Sequence, residues 1–397
     1  MNNKNKPKMN KKISLLLTFL LLLFLQSTIA QTPNPNDSLL VINGYQQILK
    51  NLEAVPSGIT LGGYGEITYN QPEEKAGEMD VQRLILLVGM KFDERTQFVT
   101  EIEWEHVSQV FIEQAFLNYN LTDNINLRAG LMLVPMGIIN EFHEPTTFNG
   151  VERPGLDGVL VPSTWREIGI GLSGRWDAIA LRYQAYLFNG FLSYDESRGG
   201  ILKGASGLRS GRQKGIQSSF QQPNLSLKAD YYGILGLRVG LAYYTGKTQV
   251  AGEDIQPEGA VLGINMIGFD FRYRYQRWSM RGQYSTTYLS DVEAYNQKNN
   301  KDLGDQLLGY YLEAAVNVLP LQNKQRLDAF VRYENFNTHF SVPNGLQEQP
   351  QFHRKEWTFG LSYHLSRGTV AKMDYQQKNT DLPTGYGQFN MGIGVWF

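Results

Sequence analysis

The residues that could do chemistry in this sequence are charged side chains that alternate with apolar ones. In segment 267–275 every second residue is apolar or aromatic, and Asp270, Arg272 and Arg274 lie between them. Guanidinium groups bind phosphate or carboxylate oxygens through paired hydrogen bonds, so such a set can hold anions or pair with acids. The residues that this alternation places on the polar face are Arg128, Arg166, Arg182, Arg272, Arg274, Arg281, Arg326, Arg332, Glu101, Glu103 and Asp270.

Two interpretations of these charges stay open. The arginines could line a path for anions, because rings of one charge sign set ion selectivity. They could instead pair with acids on neighbouring segments. The same parity also places Arg83 and the acids Glu66, Glu105, Asp230, Glu313, Asp328 and Glu334 on the polar face, and the nearly equal numbers of arginines and acids favour this pairing. Mixed rings give weak selectivity, so strong anion selectivity does not follow from the arginines alone.

The sequence contains no clear catalytic or metal-binding motif. His143 lies within Glu141-Phe142-His143-Glu144, a run that contains metal-ligand types, but we expect a solvated loop histidine there. The chain has no cysteine, which excludes disulfides and thiolate metal sites. We therefore predict no catalytic residue, no bound metal and no cofactor. The formal charge of -1 gives no indication of a nucleic-acid partner.

A glycine-rich basic loop runs from Arg198 to Arg212 and is followed by Lys214. One interpretation is a flexible, solvated surface loop, which we favour. The other is a basic vestibule that draws anions towards a channel mouth by electrostatic steering.

Stepwise alternation of apolar and polar residues continues from Gly58 to the C-terminus. We expect about sixteen strands of roughly ten residues, the length that a tilted strand needs to cross a membrane. Tight turns such as Gln276-Arg277 alternate with long loops such as 137–164, which is the asymmetry of outer-membrane barrels. The fold class is therefore predicted as an all-β transmembrane antiparallel barrel with short periplasmic turns and long extracellular loops.

The N-terminal part of the chain has a different composition. Basic residues precede the apolar run Ile13 to Leu25, and Thr28-Ile29-Ala30 supplies short residues for cleavage, so residues 1–30 are predicted to be a signal peptide. Residues 31–57 contain one amphipathic helical pattern, expected as a periplasmic or pore-resting segment or, alternatively, as a small plug. Residues 58–397 form the predicted barrel.

Several stretches of the barrel region have a distinctive order and spacing. They are Asp80-Val81-Gln82-Arg83, Gln114 to Tyr119, Leu127 to Gly137, Arg166 to Ile170, Tyr186 to Gly190, Gly309 to Glu313 and Val331 to Glu334. Together they resemble the phosphate-selective porin O and P family. The resemblance implies a trimeric sixteen-stranded porin in which the segment after Pro135-Met136-Gly137 folds inward and narrows the pore. In that family lysines and arginines of the lumen select phosphate, whereas here acids share the same face.

We therefore expect a cell outer-membrane porin for passive diffusion of small hydrophilic solutes, with anions such as phosphate as one candidate class. The expected partners are outer-membrane lipids, the solutes and, by the resemblance, two further copies of the chain. A plugged transporter of hydrophobic substrates is the alternative, followed by an outer-membrane enzyme, although no residue spacing selects a catalytic site.

Overall fold

A computed structural model of the protein describes residues 44–254 and 257–397. The predicted signal peptide over 1–30 and the first part of the 31–57 segment lie outside the described residues. Everything below concerns the described ranges.

Sixteen long strands form one closed antiparallel barrel, which confirms the predicted fold class. The barrel strands are β1 (Gly58–Pro72), β2 (Glu78–Lys91), β3 (Thr96–Glu105), β4 (Gln109–Thr122), β5 (Ile125–Leu133), β6 (Arg166–Trp176), β7 (Leu181–Phe188), β10 (Asn224–Ile234), β11 (Leu237–Lys247), β13 (Gly263–Tyr275), β14 (Trp278–Ser290), β15 (Gln306–Asn317), β16 (Arg326–Ser341), β17 (His353–Ser366), β18 (Thr369–Thr380) and β19 (Tyr386–Trp396). Strand β1 pairs with β19 in a register that places Ile67 opposite Ile393, so the sheet has no free edge.

Alternation along each strand separates two faces of the barrel wall. On β13, Phe269 is 42% exposed on the outside, whereas its neighbour Asp270 is 2% exposed on the inside. An apolar outer band and a polar interior are the arrangement that a lipid bilayer stabilises. The fold therefore explains why average hydropathy is low although the outer surface is apolar.

The two ends of the barrel differ in the length of their connections. At one end, here called the short-turn end, strands join through turns such as Gln276-Arg277 between β13 and β14. Gly236 shapes another of these turns with φ +75°, and a Cβ there would lie 2.1 Å from the carbonyl oxygen of Arg274. The opposite end, the long-loop end, carries the longer connections, in agreement with the predicted asymmetry.

Smaller elements lie in the connections and inside the barrel. Strands β8 (Leu192–Asp195), β9 (Gly199–Gly200) and β12 (Gln249–Ala251) form a three-stranded sheet at the long-loop end. The helices are α1 (Gly44–Glu53), α2 (Leu156–Val159) and α3 (Val292–Asn299). Within the described residues, no helix has the length and apolar character required to cross a membrane.

Helix α1 packs against the inner face of β1, β2 and β3. Its apolar side chains Ile48 and Leu52 lie over Gly89 of β2, where any Cβ would collide with both of them. An inward-facing apolar patch of Ile85 and Leu87 belongs to the same buried cluster. The helical pattern predicted within 31–57 is thus present, and its apolar stripe is covered by the barrel wall.

Candidate functional site

The connection between β5 and β6, residues 134–165, folds into the barrel and is here called the constriction loop. Its backbone and side chains bond to strands on several sides of the lumen. The backbone N–H of Ile138 donates to Gln283 of β14 (2.6 Å), and that of Val151 donates to Asp374 of β18 (2.6 Å). The Asn149 amide donates to Glu313 of β15 (2.9 Å). The loop therefore crosses the lumen and is attached to opposite walls.

Ion pairs connect the wall strands beneath this loop. Arg281 contacts Glu313 at 2.9 Å, and Arg332 contacts both Glu334 at 2.9 Å and Glu313 at 3.4 Å. Arg332 and Glu334 are 0% exposed. Arg281 and Arg332 lie directly opposite Glu313 in the registers of β14–β15 and β15–β16, which is why a single carboxylate serves both arginines.

A second cation–acid network lies on the wall formed by β10, β11 and β13. Lys228 contacts Glu141 of the constriction loop at 2.5 Å and Asp270 at 3.4 Å, while Arg238 contacts Asp230 at 2.8 Å. Sequence reasoning did not single out Lys228 as a lumen residue, although its spacing from Asp230 places both side chains on the same face. Glu141 could not be assigned from spacing because it belongs to an irregular loop.

All eleven residues predicted for the polar face lie inside the barrel, but they do not form one ring. Arg182, Arg274 and Arg326 lie within two residues of the short-turn ends of their strands and are partly exposed. The central group contains Arg128, Arg281, Arg332, Asp270 and Arg272, which lies directly opposite Arg281 in the β13–β14 register. Arg166, Glu101 and Glu103 lie nearest the long-loop end. The charges are thus distributed along the barrel axis, and several of them are paired.

Helix α1 contacts two of these arginines. Arg182 donates to the Tyr45 hydroxyl at 3.0 Å, and the Arg128 guanidinium lies 5.1 Å from the centre of the Tyr45 ring. The backbone N–H of Gly44 donates to the Glu144 carboxylate of the constriction loop. At the other end of α1, Lys91 donates to the carbonyl of Val55 at 2.7 Å. Helix and loop therefore fill adjacent parts of the lumen.

Four cations lie close together at the long-loop end: Arg166, Arg209, Arg212 and Lys214, here called the mouth cluster. Arg209 donates to the carbonyl of Gly158, and Arg212 donates to the Thr164 hydroxyl, at 3.1 and 3.0 Å. Within the described ranges, none of the four makes an ion pair with an acid. Burial, followed by the nearby Arg212 and Arg166, lowers the pKa of Lys214. Arg209 and Arg212 therefore contact the constriction loop, contrary to the expectation of a freely solvated loop.

His143 is not solvated, which corrects the sequence-based expectation. It is 2% exposed because the constriction loop turns it towards β3 and β4, where Glu101 and Glu113 lie nearby. Sequence reasoning did not single out Glu113. A β-bulge between β3 and β4 pairs Glu101 with Gln114 and Ile102 with Ile112, and the extra residue Glu113 turns inward.

Comparisons with known proteins assign the chain to a family. No family model matches the sequence. A protein of Aquifex aeolicus (strain VF5), described as uncharacterized, is 32% identical over 348 residues, and the match covers 82% of this chain and 77% of that protein. The chain belongs to the family of this Aquifex protein.

Solved outer-membrane proteins have a barrel fold similar to that of this chain. OmpT of Vibrio cholerae superposes with a TM-score of 0.56 at 10% identity, covering 86% of this chain and 98% of OmpT. An anion-selective porin from Comamonas acidovorans superposes with a TM-score of 0.55 at 12% identity, and the match covers 86% of this chain and 100% of that porin. The outer membrane channel DcaP of Acinetobacter baumannii superposes with a TM-score of 0.56 at 9% identity, and the match covers 86% of this chain and 97% of DcaP. At these identities the similarity establishes a common fold.

Proposed function

We propose that the protein is an outer-membrane porin through which small hydrophilic solutes diffuse passively. The observation that carries this proposal is the separation of the two faces of a sixteen-stranded barrel, with apolar residues outside and hydrogen-bonded charges inside. A barrel of this size can enclose an aqueous channel. Charged side chains inside a barrel favour hydrophilic solutes, because an apolar substrate would gain little from them.

We further propose that the preferred solutes are anions such as phosphate. The mouth cluster supports this preference, since its four cations lie together without an acid partner in the described part of the chain. Arginine and lysine both bind phosphate oxygens, and a cluster of cations at a channel entrance raises the local concentration of anions. The paired arginines farther inside contribute less, because neighbouring carboxylates offset their charge.

The constriction loop is the proposed gate of this channel. Its bonds to Gln283, Glu313 and Asp374 hold it across the lumen, and the central charges around it are deeply buried. In this proposal, conduction depends on a displacement of the loop or of α1. We expect small or intermittent conductance steps from the intact protein.

Single-channel recording in planar bilayers tests the proposal, with reversal potentials in a salt gradient and phosphate as the competitor. We expect anion preference and block by phosphate in the wild type, and loss of both in the double variant R212Q/K214Q. R277Q is the matched control, because Arg277 is an exposed cation in a turn at the short-turn end. Conductance steps without charge preference would refute the proposed anion preference but would leave the proposed porin function standing. Absence of conductance under all conditions would refute the porin itself.

A plugged transporter of hydrophobic substrates is the second candidate, and α1 is the observation that favours it. The helix covers the inward apolar patch of Ile85 and Leu87, which a displaced α1 would expose to a substrate. A variant without α1 that binds an apolar fluorescent probe, while the wild type does not, would favour this alternative.

We also propose that three copies of the chain assemble in the outer membrane. One solved form of Vibrio cholerae OmpT, with a TM-score of 0.54 to this chain, is described as a trimer, which supports the proposal by analogy of fold. The mass of the detergent-solubilised protein, measured by light scattering, would equal three chains. A mass of one chain in several mild detergents would contradict it.

A further inference from the structure

The contact between the constriction loop and the barrel wall contains three buried side chains with metal-ligating atoms. His143 Nε2 lies 3.5 Å from a carboxylate oxygen of Glu113 and 3.8 Å from one of Glu101. One ligating atom from each of the three residues lies within 4.8 Å of the other two. All three residues are buried, and they come from three different elements: β3, β4 and the loop.

The hydrogen bonds of His143 leave its Nε2 available as a ligand. Its Nδ1 lies 3.2 Å from the carbonyl oxygen of Asn140, and because a carbonyl can only accept, the proton of this bond is on Nδ1. Histidines that bind metals commonly donate their other ring nitrogen to a carbonyl in this way. Glu101 is oriented similarly, since Tyr64 and Gln114 donate to its two oxygens, each at 2.7 Å.

Glu113 provides a second, independent indication. It is 0% exposed, and neither of its carboxylate oxygens accepts a hydrogen bond within the described residues. A buried carboxylate is costly unless a positive charge or several hydrogen bonds compensate it. The bulge in β4 nevertheless turns this side chain towards His143.

The distances fit a shared ion better than a short charge-assisted hydrogen bond. A charge-assisted N–H···O bond from a protonated His143 would measure about 2.7–2.9 Å. Ligands at about 2.0–2.2 Å from a tetrahedral Zn²⁺ lie roughly 3.4 Å apart. The observed 3.5 and 3.8 Å are near the second spacing.

We propose that Glu101, Glu113 and His143 bind one divalent transition-metal ion, with Zn²⁺ as the expected occupant. One imidazole and two carboxylates suit such an ion and leave a further coordination position open. The ion fastens the constriction loop to β3 and β4, next to Glu144, which accepts from the first residue of α1. The proposal concerns ion binding and does not depend on whether the barrel conducts.

Titration with Co²⁺ tests the site in the full mature protein, purified without a polyhistidine tag and treated with a chelator. We expect one Co²⁺ per chain with visible absorption bands of a bound ion. E113Q and H143Q are each expected to weaken binding by about 100-fold or more, since loss of an outer-shell partner alone costs 10–100-fold. H106Q is the matched control, because His106 lies beside Asp80 in a partly exposed pair, and it should bind like the wild type.

Each other result counts against the site. Absence of stoichiometric Co²⁺ binding in the wild type would overturn the proposal, and so would binding by folded E113Q and H143Q equal to the wild type. Should both variants fail to fold, X-ray absorption of the Zn²⁺-loaded wild type decides. Coordination by one imidazole together with carboxylate oxygens supports the site, and coordination without imidazole overturns it.

Discussion

Arg332 shows at the scale of one residue how the interior is stabilised. Its guanidinium contacts Glu334 and Glu313, and it also donates to the loop carbonyls of Asn149 and Glu152, at 3.4 and 3.3 Å. Strand geometry produces the first contact, because residues two apart on β16 share a face. This one side chain therefore joins two wall strands to the constriction loop.

Substitution of Arg332 by methionine is expected to destabilise the barrel by about 3–5 kcal/mol, because it leaves the buried carboxylate of Glu334 without its cation and that of Glu313 with Arg281 alone. Urea unfolding in lipid vesicles measures the change. Arg175 offers a control, since it pairs with Asp177 at 4.0 Å while the two side chains are 63% and 59% exposed. R175M should lower the free energy of unfolding by no more than about 1 kcal/mol, as solvent screens an exposed pair. Equal losses in both variants would contradict the importance of burial.

Helix α1 and the constriction loop are the elements that decide how much of the lumen stays open. The helix lies on the wall opposite much of the loop's bonding network and reaches the loop through Gly44 and Glu144. Its attachment combines apolar packing by Ile48 and Leu52 with the polar contact between Tyr45 and Arg182. Helix and loop can therefore restrict the channel together, although the helix precedes β1 and the loop connects β5 to β6.

Deletion of residues 44–53 is expected to increase single-channel conductance at least about twofold, because a barrel of this size can hold a wider aqueous path. Planar-bilayer recording of the deletion variant beside the wild type measures the effect. N51A is the control, since the Asn51 side chain bonds only to Gln47 on the exposed face of the helix in the described structure. Unchanged conductance in a folded deletion variant would show that α1 does not restrict the pore.

The whole molecule is organised by the opposition between an apolar outside and a polar inside. Closure through β1 and β19 pairs the sheet on itself, which satisfies backbone groups that could not otherwise lie in a bilayer. The apolar band and the unequal ends then define one orientation, with the short-turn end in the periplasm, as we propose by analogy with other outer-membrane barrels.

A charged residue on the outer face should lower the free energy of unfolding more at mid-strand than near the membrane surface. F269R is expected to lower the free energy of unfolding in vesicles by about 2–4 kcal/mol, and Y275R, on the same face at the end of β13, by about 0–1 kcal/mol. Both side chains are exposed to the surroundings of the barrel. Equal costs at the two depths would indicate that β13 does not cross a bilayer in the proposed way.

The position of the functional groups could be predicted only in part. Parity along β14 and β16 assigns Arg281 and Arg332 to the polar face, because side-chain direction in a strand depends on local spacing alone, and both are buried beside Glu313. The same rule, counted from the buried Phe116 and Asn118, would put Glu113 on the outer face, and the bulge between β3 and β4 reverses it. His143 could not be located from the sequence, since its burial depends on where a long irregular loop folds.

The sequence by itself determined the sixteen-stranded barrel, its two faces and its unequal ends, since each of these follows from alternation and loop length along the chain. Only the tertiary structure decided which charges pair, where α1 packs and which residues surround His143. Those contacts join groups far apart in sequence, such as Val151 with Asp374 and Gly44 with Glu144. They depend on strand register, on one bulge and on the inward path of a loop, and no local pattern encodes these three.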